Sequence, residues 1–488
     1  MSGLAQLGGP VACIGLAILL VGRNRADRIA GLGFAALGTV LVGIAVAPNR
    51  PALVAGGVFA ALGIGVGLAG LFRVVPWLYP LAALACVPLR IGVHVGGASS
   101  KLLVPLYVVI LGATILFAWQ LIEGDTRVRE LRLASWPLAA YIGWTGLSLA
   151  WSKDVNEGAI QLLAFYIPFT LLALTLARLP WSRFGVRVLY AELAVMAIAF
   201  AVVGFYQYET RDIFQNPKVI YANAYAPFFR VNSVFWDPSV YGRFLVLAMI
   251  PSIVLIVRGR SLRWSLIAAI ALVVTWLGLL ISYSQSSFAA LLVVVIAAAF
   301  VAWRWRALVA VVLAVAVLAG ISVAQPQVRR SLQHHTSHGL NDATSGRSSL
   351  VANGIRIAEA HPLTGVGIGG FKRAYAERVK FKGKDPKKAA SHTTPVTVAA
   401  ETGLVGLVLY VLAVGAFLLE AFRRRGRTLP LVAGLGILAI FCHSLFYNAF
   451  FEDPMTWALF GLATLALPDR APAAEPHTPV AAKEAVPV

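Results

Sequence analysis

Acidic residues are scarce in this sequence and cysteine is nearly absent. Only 21 of its 488 residues are Asp or Glu, against 41 Lys and Arg, and charged residues of both signs make up 13% of the chain. A soluble domain carries about a quarter, so the soluble globular class is excluded. The three cysteines, Cys13, Cys86 and Cys442, each sit inside an apolar run. That placement reads as small buried hydrophobes and supports neither a disulfide framework nor a cysteine metal site. The chain has no Walker lysine pattern and no dinucleotide fingerprint. No nucleic-acid-binding motif accompanies its net charge of +20, so nucleic acid is not an expected partner. The first apolar run has no small-residue cleavage site after it and reads as a retained helix. An inverted repeat of the transporter kind is not visible.

Hydrophobicity dominates what is there: 59% apolar residues and a mean hydropathy of +0.79. Apolar runs near the spanning length of about 17–25 residues fall at 9–22, 29–47, 52–72, 75–92, 103–121, 133–151, 157–179, 188–207, 240–257, 263–282, 285–303, 306–325, 396–422, 429–448 and 453–467. The first, fourth and last are short or interrupted. The expected fold class is therefore all-α, a polytopic transmembrane bundle of about 12–15 helices. Alternating these spans puts the arginine-rich short connections on one side: Arg23 to Arg28, Arg73, Arg127 to Arg132, Arg183 and Arg187, Arg258 to Arg263, Arg304 and Arg306, and Arg423 to Arg427. By the positive-inside rule that side is cytoplasmic. The expected organisation is N-terminal helices over 1–139, a membrane core over 140–325 with an outer loop at 208–239, a large outer loop at 326–395 containing amphipathic helices, C-terminal helices over 396–467, and a disordered tail over 468–488.

The outer loops hold the polar candidates. Between Arg329 and His392 there are twelve cations against four acids, which suits anionic headgroups or an anionic substrate. The lysine-rich stretch 380–388 fits the headgroups. Arginines inside patterned sequence fit the substrate, because a guanidinium pairs bidentately with phosphate oxygens. The stretch from Arg230 through Asp237 to Arg243 leads into an apolar run, and Asp237-Pro-Ser is also a helix cap signal. His334, His335 and His338 lack an acidic companion and read as a solvated loop rather than a metal site. Arg347 opens an amphipathic helix, followed by a glycine-rich turn containing Gly365, Gly367 and Gly369. His392 stands where the basic loop re-enters the apolar phase. Arg90, at the outer end of the fourth run, reads first as an interfacial anchor. Gly403 and Gly406, one helical turn apart, read as close helix packing.

Four pieces in order, Arg230 to Gly242, Tyr283 to Ser287, Arg347 to Phe371 and His392 to Gly406, resemble the O-antigen ligase and O-antigen polymerase family of bacterial membrane glycosyltransferases. The pieces Trp144–Ser152 and Glu452–Trp457 are also similar to that family. His392, Thr393, Gly403 and Gly406 fit its ligase pattern, with threonine where Asn, Ser or Gln is commoner. The turn carries Ser-Gln-Ser-Ser in place of a frequent Ser-Arg.

The resemblance implies the C-type glycosyltransferase superfold in the bacterial cytoplasmic membrane. It also implies transfer of a glycan from a polyprenyl-pyrophosphate carrier to a glycan, lipid or protein hydroxyl at the outer face, with no cofactor and no required metal. Membrane lipids are the remaining partners. His392 is then the expected catalytic base, with Glu401, about 9 Å deeper along a straight helix, able to orient it only if the chain bends. Arg230 and Arg347 are the leading pyrophosphate ligands, with Arg243 and Arg90 in reserve, and Asp237, Gly367, Gly369 and Asp453 are further site candidates. A polymerase of lipid-linked repeats is the alternative within the family. A transporter or flippase is the alternative outside it, and would call for a series of ionisable groups at mid-membrane depth that Glu157, Glu192, Glu420 and His443 do not form.

Overall fold

The computed structural model describes residues 2–47, 51–95, 98–214, 216–225, 228–259, 261–324, 347–380 and 391–465. The His334–His338 cluster, the 382–388 lysines and the tail beyond Pro468 lie outside the described residues. The rest is a helical bundle with one small hairpin. Ten of its helices are long and apolar enough to cross a membrane, and two shorter apolar ones, 428–444 and 454–463, join them.

The N-terminal part comprises α1 (Ser2–Val21), α2 (Arg25–Val46), α3 (Pro51–Val74), α4 (Leu78–Ala85), the antiparallel hairpin β1 (Ile91–Val95) and β2 (Ala98–Leu102), and α5 (Val104–Ile122). Small residues set its packing. A side chain on Gly15 would lie 2.3 Å from the Ala35 amide nitrogen, and one on Gly38 would lie 2.2 Å from that of Ala12, so the α1 and α2 backbones nearly touch. Large apolar side chains such as Phe34, Leu37, Phe59 and Ile64 point outward instead, as lipid-facing residues do. The fourth apolar run departs from expectation. It is helical only over Leu78–Ala85 and then turns into the hairpin, because Pro88 lacks an amide donor and pushes the chain out of the helical region.

The central part contains α6 (Ser135–Ser148), α7 (Val155–Gln161), α8 (Ile167–Arg178), α9 (Arg183–Thr210) and the short α10 (Pro217–Tyr225). The sixth run is helical over its expected length, with 3-10 turns at Arg132–Ala134 and Leu149–Trp151 flanking α6. Helices α7 and α8 form one span, joined by a π-helical turn at Leu162–Tyr166. Pro168 accounts for the widened turn, since it removes one donor and its ring crowds the carbonyl four residues back. Next come α11 (Pro238–Arg258), α12 (Leu262–Ser282) and α13 (Gln285–Ala324), the last broken at Arg304 (φ 57, ψ −148), so the two runs expected there meet at a backbone kink. Beyond lie α14 (Arg347–Ala360), α15 (Phe371–Arg378), α16 (Thr394–Arg423), α17 (Thr428–Ser444) and α18 (Pro454–Ala463).

One polar network ties the arginine-rich connections together at one end of the bundle. Arg28 is 1% exposed and makes a two-pronged pair with Glu130 at 2.8 and 2.9 Å. Arg178 joins the same carboxylate and meets Asp125 at 2.7 Å, while the ring of Phe117 lies against both guanidinium groups. Arg127, which donates to Asp125 at 2.6 Å, and Arg178 hold the Asp125 carboxyl below the usual range, the first through its hydrogen bond and the second through its charge. Arg25 donates to the carbonyls of Leu121 and Ile122, and Arg73 meets Glu123 at 3.0 Å. Glu420 of α16 accepts the Leu133 amide and pairs with Arg424. Arg258 reaches Thr428 Oγ1 at 2.8 Å and the Arg425 carbonyl at 2.7 Å. Buried charges need such partners, and these partners are what gather the connections at a single end.

Candidate functional site

The opposite end of the bundle carries the candidate residues, and two structures organise it. The first is a glycine buckle. Gly365, Gly367 and Gly369 have φ of 65°, 83° and 74°, a region an L side chain rarely occupies. The loop they shape is gripped on both sides. Val366 and Gly367 donate their amides to the carbonyls of Ala400 and Glu401 at 2.9 and 2.8 Å, and Leu404 donates to Pro362 at 2.7 Å. On the other side, Ile368 donates to Ser148 Oγ and its carbonyl accepts from Ser152 Oγ. Trp144 and Trp151 donate their ring N–H groups to Thr402 and Thr364 carbonyls.

Helix α16 bends to meet this loop. Gly403 has φ 70° and ψ −172°, inside a helix that is otherwise continuous. A side chain there would come within 2.1 Å of the Leu363 carbonyl oxygen. Gly403 is therefore a backbone break, and the expectation that it serves helix packing is corrected; Gly406, facing the Trp144 ring, keeps that role. Glu401 is 8% exposed, and its carboxylate accepts the Phe371 amide at 3.3 Å at the start of α15. It acts as a clasp between α16 and the glycine loop, the chain having bent two residues beyond it.

His392 is half-buried, with φ 65°, immediately before α16. Its neighbours hold it in that conformation. Ser391 is fully buried, and its hydroxyl bonds to Thr397 Oγ1 at 2.9 Å, donates to the Thr393 carbonyl and accepts the Thr393 amide. Gly354 of α14 packs directly on Ser391 and Val396, so the helix that Arg347 opens is seated beside His392. The Arg347 side chain lies outside the described residues.

The second structure is a set of buried ionic groups around the starts of α11 and α18. Asp237 caps α11 through the Ser239 amide at 2.7 Å, and Asp453 caps α18 through the Met455 amide at 2.9 Å. Asp453 also pairs with Arg243 at 2.8 Å, with both side chains nearly buried at 8% and 5%. Arg243 is thus neutralised within the fold, which separates it from Arg90, an exposed cation lining the same cavity of about 20 Å³ together with Phe235 and Met455. Arg230 stands apart from that pair. Its backbone exchanges hydrogen bonds with the Asn223 side chain, and its Nε donates to the Ser282 carbonyl at 3.2 Å. The serine turn beside it is a polar nest: Ser284 bonds Ser287 at 2.7 Å, and Ser286 meets His443 Nε2 at 3.0 Å.

The fold therefore gathers Arg90, Arg243 and Asp453 in one place, and Glu401, Gly367 and Gly369 in another. Glu452 joins the two, since it lies within electrostatic range of Arg90 and Arg243 and also of Glu401. Sequence reasoning passed over it in favour of its neighbour Asp453. The available signal was a carboxylate between two apolar runs that no nearby cation in sequence neutralises. Among the described residues no group of three or more His, Cys, Asp or Glu side chains could hold a metal ion.

Burial pushes the Glu452 carboxyl up to about 7, with Arg90 and Arg243 pulling the other way. Because the folded value exceeds the unfolded one of about 4.3, folding favours the protonated form. The stability this group contributes is complete below the unfolded pKa and is lost as pH rises through the folded one. Thermal unfolding in detergent is expected to show a decline between roughly pH 4 and pH 7, on the order of 3–4 kcal/mol, that Glu452→Gln removes. Parallel pH profiles for the two proteins would contradict this account.

Residues 270–411 match the family model described as O-antigen ligase. No curated protein matches the chain. The matched stretch runs from α12 to the middle of α16 and includes the glycine buckle, His392, Glu401 and Gly403, while Arg230, Arg243 and Asp453 fall outside it. With ten helices long and apolar enough to cross a membrane, the chain is a multi-pass membrane protein whose 270–411 segment is similar to the O-antigen ligase family.

Proposed function

We propose that this protein is a glycosyltransferase that moves a glycan from a polyprenyl-pyrophosphate carrier to an acceptor hydroxyl, at the outer face of a bacterial cytoplasmic membrane. The observation that carries the reading is the family match lying over a half-buried histidine at the mouth of a bent helix. The arginine-rich end is taken as cytoplasmic by the positive-inside rule, which leaves His392 outside.

In this reading His392 accepts the proton of the acceptor hydroxyl, whose oxygen forms the new bond to the anomeric carbon. The bond from that carbon to the pyrophosphate oxygen breaks, and the carrier pyrophosphate leaves with the negative charge. Fixed cations stabilise that charge where it develops. Arg230, Arg347 and Arg90 are the candidates; Arg243, paired with Asp453, serves as a strut that keeps the start of α11 against α18. Asp237 caps α11, and Gly367 and Gly369 keep the loop close to α16, so their part is to hold the site in shape.

The test is a reconstituted assay with polyprenyl-pyrophosphate-linked glycan and candidate acceptors, run with a chelator present. A covalent glycan–acceptor product and released carrier are expected. Movement of the lipid-linked glycan between leaflets with no covalent product would replace the transferase reading with a flippase. An acceptor that is itself a lipid-linked repeat would mark a polymerase, and a lipid core or protein acceptor a ligase.

A further inference from the structure

The arginine-rich end contains a cavity of its own. It measures about 380 Å³ and lies where the last turns of α11 and of the first half of α13 meet the turn between α16 and α17. Val257, Val301, Trp303 and Leu431 form its apolar wall, and Arg258 and Arg425 stand at its rim. Arg258 is held in place across the gap by Thr428 Oγ1 and the Arg425 carbonyl. The Arg425 side chain is exposed. The segments next to its lining residues, 257–259, 303–306 and 421–428, contain seven arginines and no acidic residue.

Orientation of the chain in the bilayer requires cations at this end, but it requires no crevice beneath them. An apolar slot with guanidinium groups at its mouth, that of Arg258 held in place, suits the two-part chemistry of a phospholipid: phosphate oxygens outside and acyl chain inside. The apolar surface continues from the slot along α13, where Phe300, Val295 and Leu292 are exposed, giving an acyl chain somewhere to lie. We infer that this cavity is a binding site for an anionic phospholipid of the leaflet at the arginine-rich end, phosphatidylglycerol in its simplest form. Bound there, the lipid bridges α11, α13 and the α16–α17 turn, and so braces three helices whose opposite ends frame the candidate active site. The inference stands apart from the glycan-transfer reading.

The experiment is native mass spectrometry of the purified full-length protein, titrated with phosphatidylglycerol or phosphatidylcholine of matched chains. The wild type is expected to retain one phosphatidylglycerol at least about tenfold more tightly than phosphatidylcholine. Arg425→Gln is expected to weaken that retention about fivefold, and Ala302→Trp, which fills the slot from its exposed wall, to abolish it. Arg263→Gln, at the start of α12 and outside the cavity, keeps wild-type retention. Equal retention of the two lipids, unchanged retention in both cavity variants, or displacement by soluble glycerol phosphate as effective as that by phosphatidylglycerol overturns the inference.

Discussion

Replacing His392 with alanine is expected to lower the rate of glycan transfer by about 10²–10⁴-fold, the range over which a positioned base contributes. That is about 3–5 kcal/mol of activation free energy. The backbone decides how the experiment is built. His392 occupies the left-handed region with φ 65°, which costs an ordinary L residue energy but suits asparagine. His392→Asn therefore keeps the loop geometry while removing the imidazole, and it is expected to lose the same activity with an unchanged melting temperature. Donor KM should move little in both variants, because the imidazole acts on the acceptor proton. Wild-type turnover in the asparagine variant would remove His392 from the mechanism without touching the family assignment.

Gly403→Ala is expected to be the most damaging single-methyl change in α16. Its φ of 70° and ψ of −172° lie in a region essentially limited to glycine, and the added carbon would sit 2.1 Å from the Leu363 oxygen and 2.3 Å from its carbonyl carbon. Both atoms are backbone, so neither can rotate away. Strain of about 1–3 kcal/mol from the dihedrals alone, added to the clash, should displace the 361–370 loop and with it the Leu404–Pro362 and Gly367–Glu401 hydrogen bonds. Gly415, in the same helix with nothing within 4 Å of an added carbon, is the control. Gly415→Ala is expected to be neutral or stabilising by up to about 1 kcal/mol. Thermal unfolding of the two variants, with protease sensitivity of the 361–370 loop, checks the pair; similar melting temperatures would mean that the bend is not required.

Much of the architecture follows from composition and local pattern. Long apolar runs in a chain with 13% charged residues leave helices as the means of satisfying backbone groups in lipid, and the arginine connections were expected to share a side before any contact was known. The departures have local causes. Pro88 turns the fourth run into a hairpin approach, and a π turn near Pro168 widens a span without dividing it. Asp237 read equally as a cap or a ligand in sequence; the 2.7 Å bond from the Ser239 amide makes it a cap.

The candidate site was legible in its parts and not in its pairings. His392 and the positive-φ glycines stood out because a histidine at an apolar boundary and a repeated glycine are local signals. That Glu401 faces the Phe371 amide, that Arg243 spends its charge on Asp453, and that Glu452 lies between the two groups are facts about residues as many as 210 positions apart. Sequence by itself determined the class, the helices, the charge asymmetry between the two ends and the family motif, because each depends on neighbours within a turn or a span. Only the tertiary structure decided which cations remain available and which are neutralised, because desolvation at a helix junction forces each buried charge to take whatever partner the fold brings to it.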